Sequence, residues 1–219
     1  MTKNYQRFIS FEGIDYSGKS TQVKMLVKRL QRLGVEPVVL REPGGTRISE
    51  RIRDILLDTA YFEMHEKCEI LLYEAARAQL VHQKIIPLLE SGRFVIADRF
   101  FDSSSAYQGF GRGLTLDEVK QLNRFATSAL KPYRTFFIDI SPQEAQRRQV
   151  ANNRTRDRLE SAGIEFFTKI RQGFLTLCEE EPGRFIKING EGTPAEVAEK
   201  VWAKILKIWE LHFNFDAAK

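Results

Sequence analysis

The sequence predicts a three-layer α/β fold: a five-stranded, mainly parallel sheet with helices on both faces. Three observations carry this reading. Short apolar runs recur at 8–11, 37–40, 94–97, 135–140 and 184–188, the length and composition of buried strands. Longer stretches of helical pattern lie between them. No hairpin dipeptide joins one run to the next, so the connections read as crossovers and the strands as parallel. With 219 residues, 42% of them hydrophobic, the chain is large enough for one well-buried core and short for two, so a single domain over 1–219 is expected.

The first run leads into residues 13–20, which fit G-x-x-x-x-G-K-[ST]. Gly13 and Gly18 can take backbone angles closed to other residues, so successive N–H groups turn inward and form an anion nest at a helix N-terminus. Lys19 supplies a mobile positive charge for the β- and γ-phosphates of a nucleotide, and the Ser20 hydroxyl a ligand for Mg²⁺. Val23, Leu26, Val27, Leu30 and Leu33 then recur at helical spacing, with Gly34 placed to end the helix.

The second run opens onto Arg41, Glu42, Pro43, Gly44, Gly45 and Thr46, a turn that brings backbone close to a ligand, and Arg53 follows in the next helical stretch. At the end of the third run stand Asp98, which can hold Mg²⁺ directly or through water, and Arg99, whose planar fork can bridge two phosphate groups. Thr115 with Glu118 and Thr193 with Glu196 read as capping boxes, the second with Pro194 at the first helical position. After the fourth run, Arg147, Arg148, Arg154, Arg156 and Arg158 crowd one segment, opposed there by Asp157. The last helix presents Val197, Val201, Ile205 and Ile208 to the core, and Trp202, Trp209, Phe213 and Phe215 read as packing residues.

The formal net charge of +5 fits either nucleic acid or a pocket that collects polyanions. The local arginine cluster favours a small phosphate-bearing ligand over a duplex footprint. His65, His82 and His212 have no partner spacing, and Cys68 and Cys178 form no C-x-x-C pair, which leaves zinc, redox and Ser-His-Asp chemistry without support. No window approaches a membrane span and no secretory stretch is visible, so a cytoplasmic location is expected. A hydroxyl acceptor usually needs a base to take its proton, whereas a phosphate monoester is already largely dianionic near neutrality. Arginines around two polyanions, without an obvious base, therefore suit a nucleoside monophosphate kinase.

Residues 11–15 with the phosphate loop, 41–46, 73–77, 98–99 with 106–109, and 157–160 together resemble the thymidylate kinases. The resemblance runs in order from about residue 7 to about residue 200. It implies the P-loop kinase fold, a mobile lid near 147–158, transfer of the γ-phosphate of ATP to dTMP with Mg²⁺, and a homodimer. Carried onto this chain, it implies ATP binding by Gly13, Ile14, Asp15, Tyr16, Ser17, Gly18, Lys19, Ser20 and Thr21, with Arg148 near the adenine. For dTMP it implies Asp15 on the sugar 3′-hydroxyl, Tyr73 stacked on thymine, Arg77 at the base edge, and Ser104 and Gln108 as further polar contacts. It also implies Tyr107 against C2′, the 41–44 turn (Arg41, Glu42, Pro43, Gly44) along the acceptor, and Arg53 and Arg99 on its phosphate. Ser20 and Asp98 are the implied metal ligands. Catalytic charge would come from Lys19, Arg99 and the lid, through Arg154, Arg156 or Arg158. Some relatives carry an arginine inside the phosphate loop; here Tyr16 stands there, which points to the branch that draws its arginine from the lid.

Two other readings remain at this stage. A deoxynucleoside kinase also joins a phosphate loop to an Asp-Arg element, but needs a base, for which Glu12 or Asp98 could be drafted. A nucleotide-dependent switch or a DNA-associated ATPase is the other, although the Asn-Lys-x-Asp motif of guanine switches does not occur.

Overall fold

In the computed structural model the structure describes residues 5–151, 158 and 163–212. Five strands form one sheet in the order β2-β3-β1-β4-β5: β1 (Phe8–Glu12), β2 (Val38–Arg41), β3 (Val95–Asp98), β4 (Arg134–Asp139) and β5 (Phe185–Asn189). Every ladder is parallel, with Ser10 paired to Ala97 on one side and to Thr135 on the other. Placing the first strand centrally, with the chain crossing to both sides of it, creates a switch point above the strands' carboxyl ends, where ligands of such sheets bind.

Side chains alternate across the sheet and so recruit two helical layers. Ile9, Phe11, Ile96, Phe136, Ile138 and Ile188 point to one face. There α1 (Lys19–Gln31) contributes Val23, Leu26 and Leu30, and α9 (Pro194–His212) contributes Val197, Val201, Trp202 and Ile205. Ile208 is only half-buried, one turn closer to the end of that helix. Trp209, Phe213 and Phe215 lie outside the described side chains. Leu33 does not join the apolar face of α1. The helix ends at Gln31 and the chain turns through Gly34 at φ 77°, leaving Leu33 51% exposed.

The opposite face presents Phe8, Leu40, Val95 and Ala97 to α3 (Glu66–Leu80) and α4 (Ile86–Glu90). Phe137 and Phe185 there meet α8 (Gly163–Glu180). Between these lie α2 (Arg47–Leu57), α5 (Phe101–Ser104), α6 (Leu116–Ala126) and α7 (Pro142–Ala151). The backbone widens into π-helical turns over Val81–Ile85 and Ser105–Gly111, a distortion that recurs at functional sites.

Of the two expected capping boxes, that of α9 is complete: Thr193 N donates to Glu196 Oε2 at 2.8 Å and Glu196 N to Thr193 Oγ1 at 3.3 Å. Thr115 does stand at the start of α6, but its side chain makes no capping bond.

Beneath the sheet's second face, Arg184 is gripped by Asp102 and by Glu181. Burial alone would raise the Glu181 carboxyl, yet the bonds and charge of Arg184, with Lys131 beyond, hold it down at about 2. An acid whose folded pKa is depressed stabilises the fold above its ordinary pKa, and that contribution fades as pH falls from about 4.5 through about 2. Glu181→Gln is therefore expected to flatten the acid limb of a stability-against-pH curve, measured by urea unfolding at several pH values. Parallel curves for the variant and the parent would contradict this.

Candidate active site

Four strand ends deliver the chemistry. β1 runs into the loop 13–18, where Gly13 at φ 144° lies so close to β4 that a Cβ would stand 2.5 Å from the Ile138 carbonyl oxygen. Gly18 at φ 93° starts α1, so the N-terminal N–H groups of that helix face the nest. Tyr16 takes the left-handed region at φ 62°. Lys19 is buried and folds back over this loop, donating to Gly13 O at 2.9 Å and Ile14 O at 2.8 Å. Burial, reinforced by Arg99, depresses its ammonium to about 8. Ile14, Asp15, Ser17 and Thr21 complete the expected phosphate cradle, of which residues 15–21 line a cleft of about 680 Å³.

The two expected metal ligands meet: Ser20 Oγ donates to Asp98 Oδ2 at 2.5 Å. A hydroxyl and a carboxylate at the mouth of a phosphate nest are hard oxygen donors that fit Mg²⁺, which takes few protein ligands and completes its shell with phosphate and water. Among the described residues no cluster of three or more His, Cys, Asp or Glu offers an alternative all-protein metal cage.

Arg99 lies at the centre. Its backbone sits at φ 69°, turning the side chain back over β1. Nη1 donates to Gly13 O and Ser103 Oγ, each at 3.0 Å, and Nη2 to Asp15 Oδ1 at 2.5 Å and Tyr107 OH at 2.9 Å. The Tyr107 hydroxyl in turn donates to Asp15 Oδ2 at 2.9 Å. Burial would raise Asp15, but the charges of Arg99 and Lys19 outweigh it and keep the carboxylate ionised below its usual range. Glu12, at the end of β1, is fully buried and accepts from Phe100 N and Ser103 Oγ, each at 2.6 Å. Burial, with the charge of Asp102 added, pushes it up to about 8.

A second, narrower cavity opens from the same cleft, lined by Tyr73, Ser104, Tyr107 and Gln108 and by Pro43 of the turn after β2. Gly44, at φ 136°, lets that turn pass close to Glu50, which receives Gly45 N at 2.6 Å and Arg41 Nη2 at 2.9 Å. Arg53 Nη1 donates to Pro43 O at 3.0 Å. Asp15, Glu42, Arg53 and Arg99 form a wall common to both cavities.

Three of the expected arginines already meet protein partners. Arg77 bonds to Ser104 in the wall of the cavity. It is buried behind Ser104, with Nε on Glu42 at 2.7 Å, Nη1 on Ser104 Oγ and Asn123 Oδ1, each at 3.0 Å, and a further short bond to Glu74. Arg158 is not brought to the phosphate loop. Its Nη2 pairs with Glu69 Oε2 at 2.5 Å and its Nε donates to Leu56 O at 3.1 Å, because a fully buried carboxylate offers it a stronger partner than solvent. Arg148 clamps the loop from α7, donating to Ser17 O at 3.3 Å and Gly190 O at 2.9 Å. Arg154, Arg156 and Asp157 lie outside the described residues.

The parallel sheet, with the G-x-x-x-x-G-K-[ST] loop running from β1 into α1, defines the P-loop kinase fold. The thymidylate kinase family model matches residues 11–201. A thymidylate kinase of Caldanaerobacter subterraneus subsp. tengcongensis is 50% identical over 184 residues, covering 84% of this chain and 87% of that one. Those of Chlorobaculum parvum and Kosmotoga olearia are 43% and 44% identical, covering 88% and 91% of this chain and 92% and 95% of their own. This chain belongs to the thymidylate kinase family.

Proposed function

We propose that the two cavities seat ATP and dTMP end to end, so that placement and charge neutralisation move the phosphoryl group between them. The chain phosphorylates dTMP to dTDP, a step in dTTP synthesis, with ATP as donor. The observation that carries the arrangement is the common wall: Asp15, Glu42, Arg53 and Arg99 face both spaces. A group shared by two sites lies where the donor's last phosphate and the acceptor's only phosphate must meet.

In this reading Lys19 and the loop N–H groups hold the β- and γ-phosphates. Ser20 and Asp98 would hold Mg²⁺, which neutralises phosphate charge when bound. Arg99 and Arg53 grip the acceptor phosphate, whose oxygen attacks the γ-phosphorus as the bond to the β,γ-bridging oxygen breaks. Asp15 receives the 3′-hydroxyl, Tyr73 stacks on the base, and Tyr107 crowds C2′. Glu42 and the Pro43–Gly44 turn line the acceptor path, with Arg41 at its exposed rim. Arg148 and the loop residues bind the donor. Closing charge comes from the segment after α7, through Arg154 or Arg156; Arg158 serves at the acceptor end.

Exposed apolar residues on adjoining helices, Ile48 and Ile55 of α2 and Leu71 of α3, support a homodimer through that face. The cytoplasm is the compartment this reading assigns.

The test is a panel of acceptors with ATP and Mg²⁺, followed by ADP release. Strong turnover of dTMP with none of thymidine is expected. Turnover of thymidine without dTMP would replace the proposal with a deoxynucleoside kinase, with Glu12 or Asp98 drafted as its base.

A further inference from the structure

We infer that two buried charges, Glu69 and Arg77, dictate which base edge the acceptor cavity accepts, by fixing Gln108 as a hydrogen-bond acceptor and Ser104 as a donor. The inference rests on reading that cavity as the seat of the acceptor base.

Ser104 and Gln108 stand four residues apart, where α5 passes into the π-helical turns, and both line the cavity while being 1% exposed. Neither residue type selects a base by itself. A carboxamide can present either its oxygen or its NH₂, and a hydroxyl can donate or accept. Their polarity here is set from behind.

Glu69 of α3 is fully buried, and its Oε1 accepts Gln108 Nε2 at 2.9 Å. Arg112 grips the same carboxylate through Nε at 3.2 Å and Nη2 at 3.1 Å, and Arg158 through Nη2 at 2.5 Å. Burial would raise Glu69, yet these partners hold it below the usual carboxylate range, so it has no proton to offer. Turning the Gln108 amide around would set oxygen against oxygen in a buried site. Gln108 therefore keeps Nε2 on Glu69 and leaves Oε1, which has no other partner among the described residues, to face the ligand.

Arg77 does the converse. Its guanidinium cannot give up its charge, and Nη1 donates to Ser104 Oγ at 3.0 Å. Ser104 already accepts a hydrogen bond there, so its own O–H is directed elsewhere, with the cavity before it. Glu42, Glu74 and Asn123 keep Arg77 in place.

The cavity thus offers one donor and one acceptor on a single helical face. A pyrimidine imide, an N3–H beside a carbonyl, matches that pair. Cytosine reverses it, with an unprotonated N3 beside an amino group, and leaves both protein groups unpaired, which is where large discrimination arises. The 5-methyl group plays no part in this pair, so dUMP is read here as dTMP is.

The experiment compares kcat/KM for dTMP, dUMP and dCMP in the parent, Glu69→Gln and Gln108→Leu. In Glu69→Gln the new carboxamide can donate, which frees Gln108 to turn its NH₂ inward. The dTMP-to-dCMP ratio is expected to fall at least about tenfold, mainly through KM for dTMP, with dUMP following dTMP. A merely structural role for Glu69 would lower all three acceptors together and leave the ratio unchanged, which overturns the inference. Should Glu69→Gln fail to fold, Glu69→Asp, which withdraws the carboxylate from Gln108, must lower the same ratio; an unchanged ratio again overturns it. An unchanged KM for dTMP in Gln108→Leu would instead show that this cavity is not the base seat.

Discussion

Replacing Lys19 with alanine lowers kcat by about 10² to 10³ while KM for dTMP stays close to that of the parent. The backbone N–H groups between Gly13 and Ser20 are fixed, so they meet donor phosphates equally before and during transfer. The Lys19 ammonium is on a flexible stem and can follow charge as it moves onto the β,γ-bridge. Its Nζ donates to the carbonyls of Gly13 and Ile14, which anchor it at the mouth of the nest. An alanine leaves those carbonyls facing the cleft, where water reaches them, so the fold is expected to survive and the loss to fall on the chemistry. Steady-state ADP release gives kcat and KM separately, and a thermal melt checks the fold. A variant turning over within a factor of about three of the parent would remove Lys19 from transition-state stabilisation.

That expectation was legible in the sequence, because a local pattern encodes a local geometry. The same holds for the five strands: all the apolar runs are strands, paired in parallel as the absence of hairpin signals implied. Their boundaries shifted toward chemistry. The first three runs read as ending at Phe11, Leu40 and Ala97, but the strands continue to Glu12, Arg41 and Asp98. Glu12 and Asp98 are buried and offset the break in apolar pattern with hydrogen bonds, which composition alone cannot show, while Arg41 reaches the exposed rim.

What stayed hidden is long-range. Glu69 reads as one more charge on a helix, and only the fold brings Gln108 and Arg112 onto it from one segment and Arg158 from another. Arg77 was found through resemblance, yet its place behind Ser104 depends on Glu42, 35 residues away in sequence. Arg158 belongs to the same class. Its neighbours in sequence suggested the transferring phosphate, whereas here it docks on the buried carboxylate of Glu69. A cluster of Asp102, Thr135 and Arg184, drawn from three separate elements, left no sequence signal, although Arg184 opened the fifth apolar run.

That last cluster is the structural counterpart of Lys19. Asp102→Ala is expected to destabilise the protein by about 3–5 kcal/mol, the usual cost of stranding one partner of a buried ion pair. Asp102 is 1% exposed and Arg184 8%. The guanidinium donates to both carboxylate oxygens, Nη1 to Oδ2 at 2.6 Å and Nη2 to Oδ1 at 2.7 Å. Nη1 also reaches Thr135 Oγ1 at 2.7 Å, and Ser10 meets Thr135 at 2.9 Å, so β1, β4 and the start of β5 share one polar seam with α5. Phe101 and Phe185 rings lie 5.0 and 4.6 Å from the guanidinium carbon, leaving a stranded charge little contact with water and Glu181 as its remaining acidic partner. Because α5 carries Ser103 and Ser104, the damage also reaches the site, and activity should fall with stability. The double substitution Asp102→Leu with Arg184→Met removes both charges and is expected to recover most of the lost stability. Urea unfolding of the three variants decides the matter: a single variant within about 1 kcal/mol of the parent would mean that the seam is wet, and that α5 is held by packing alone.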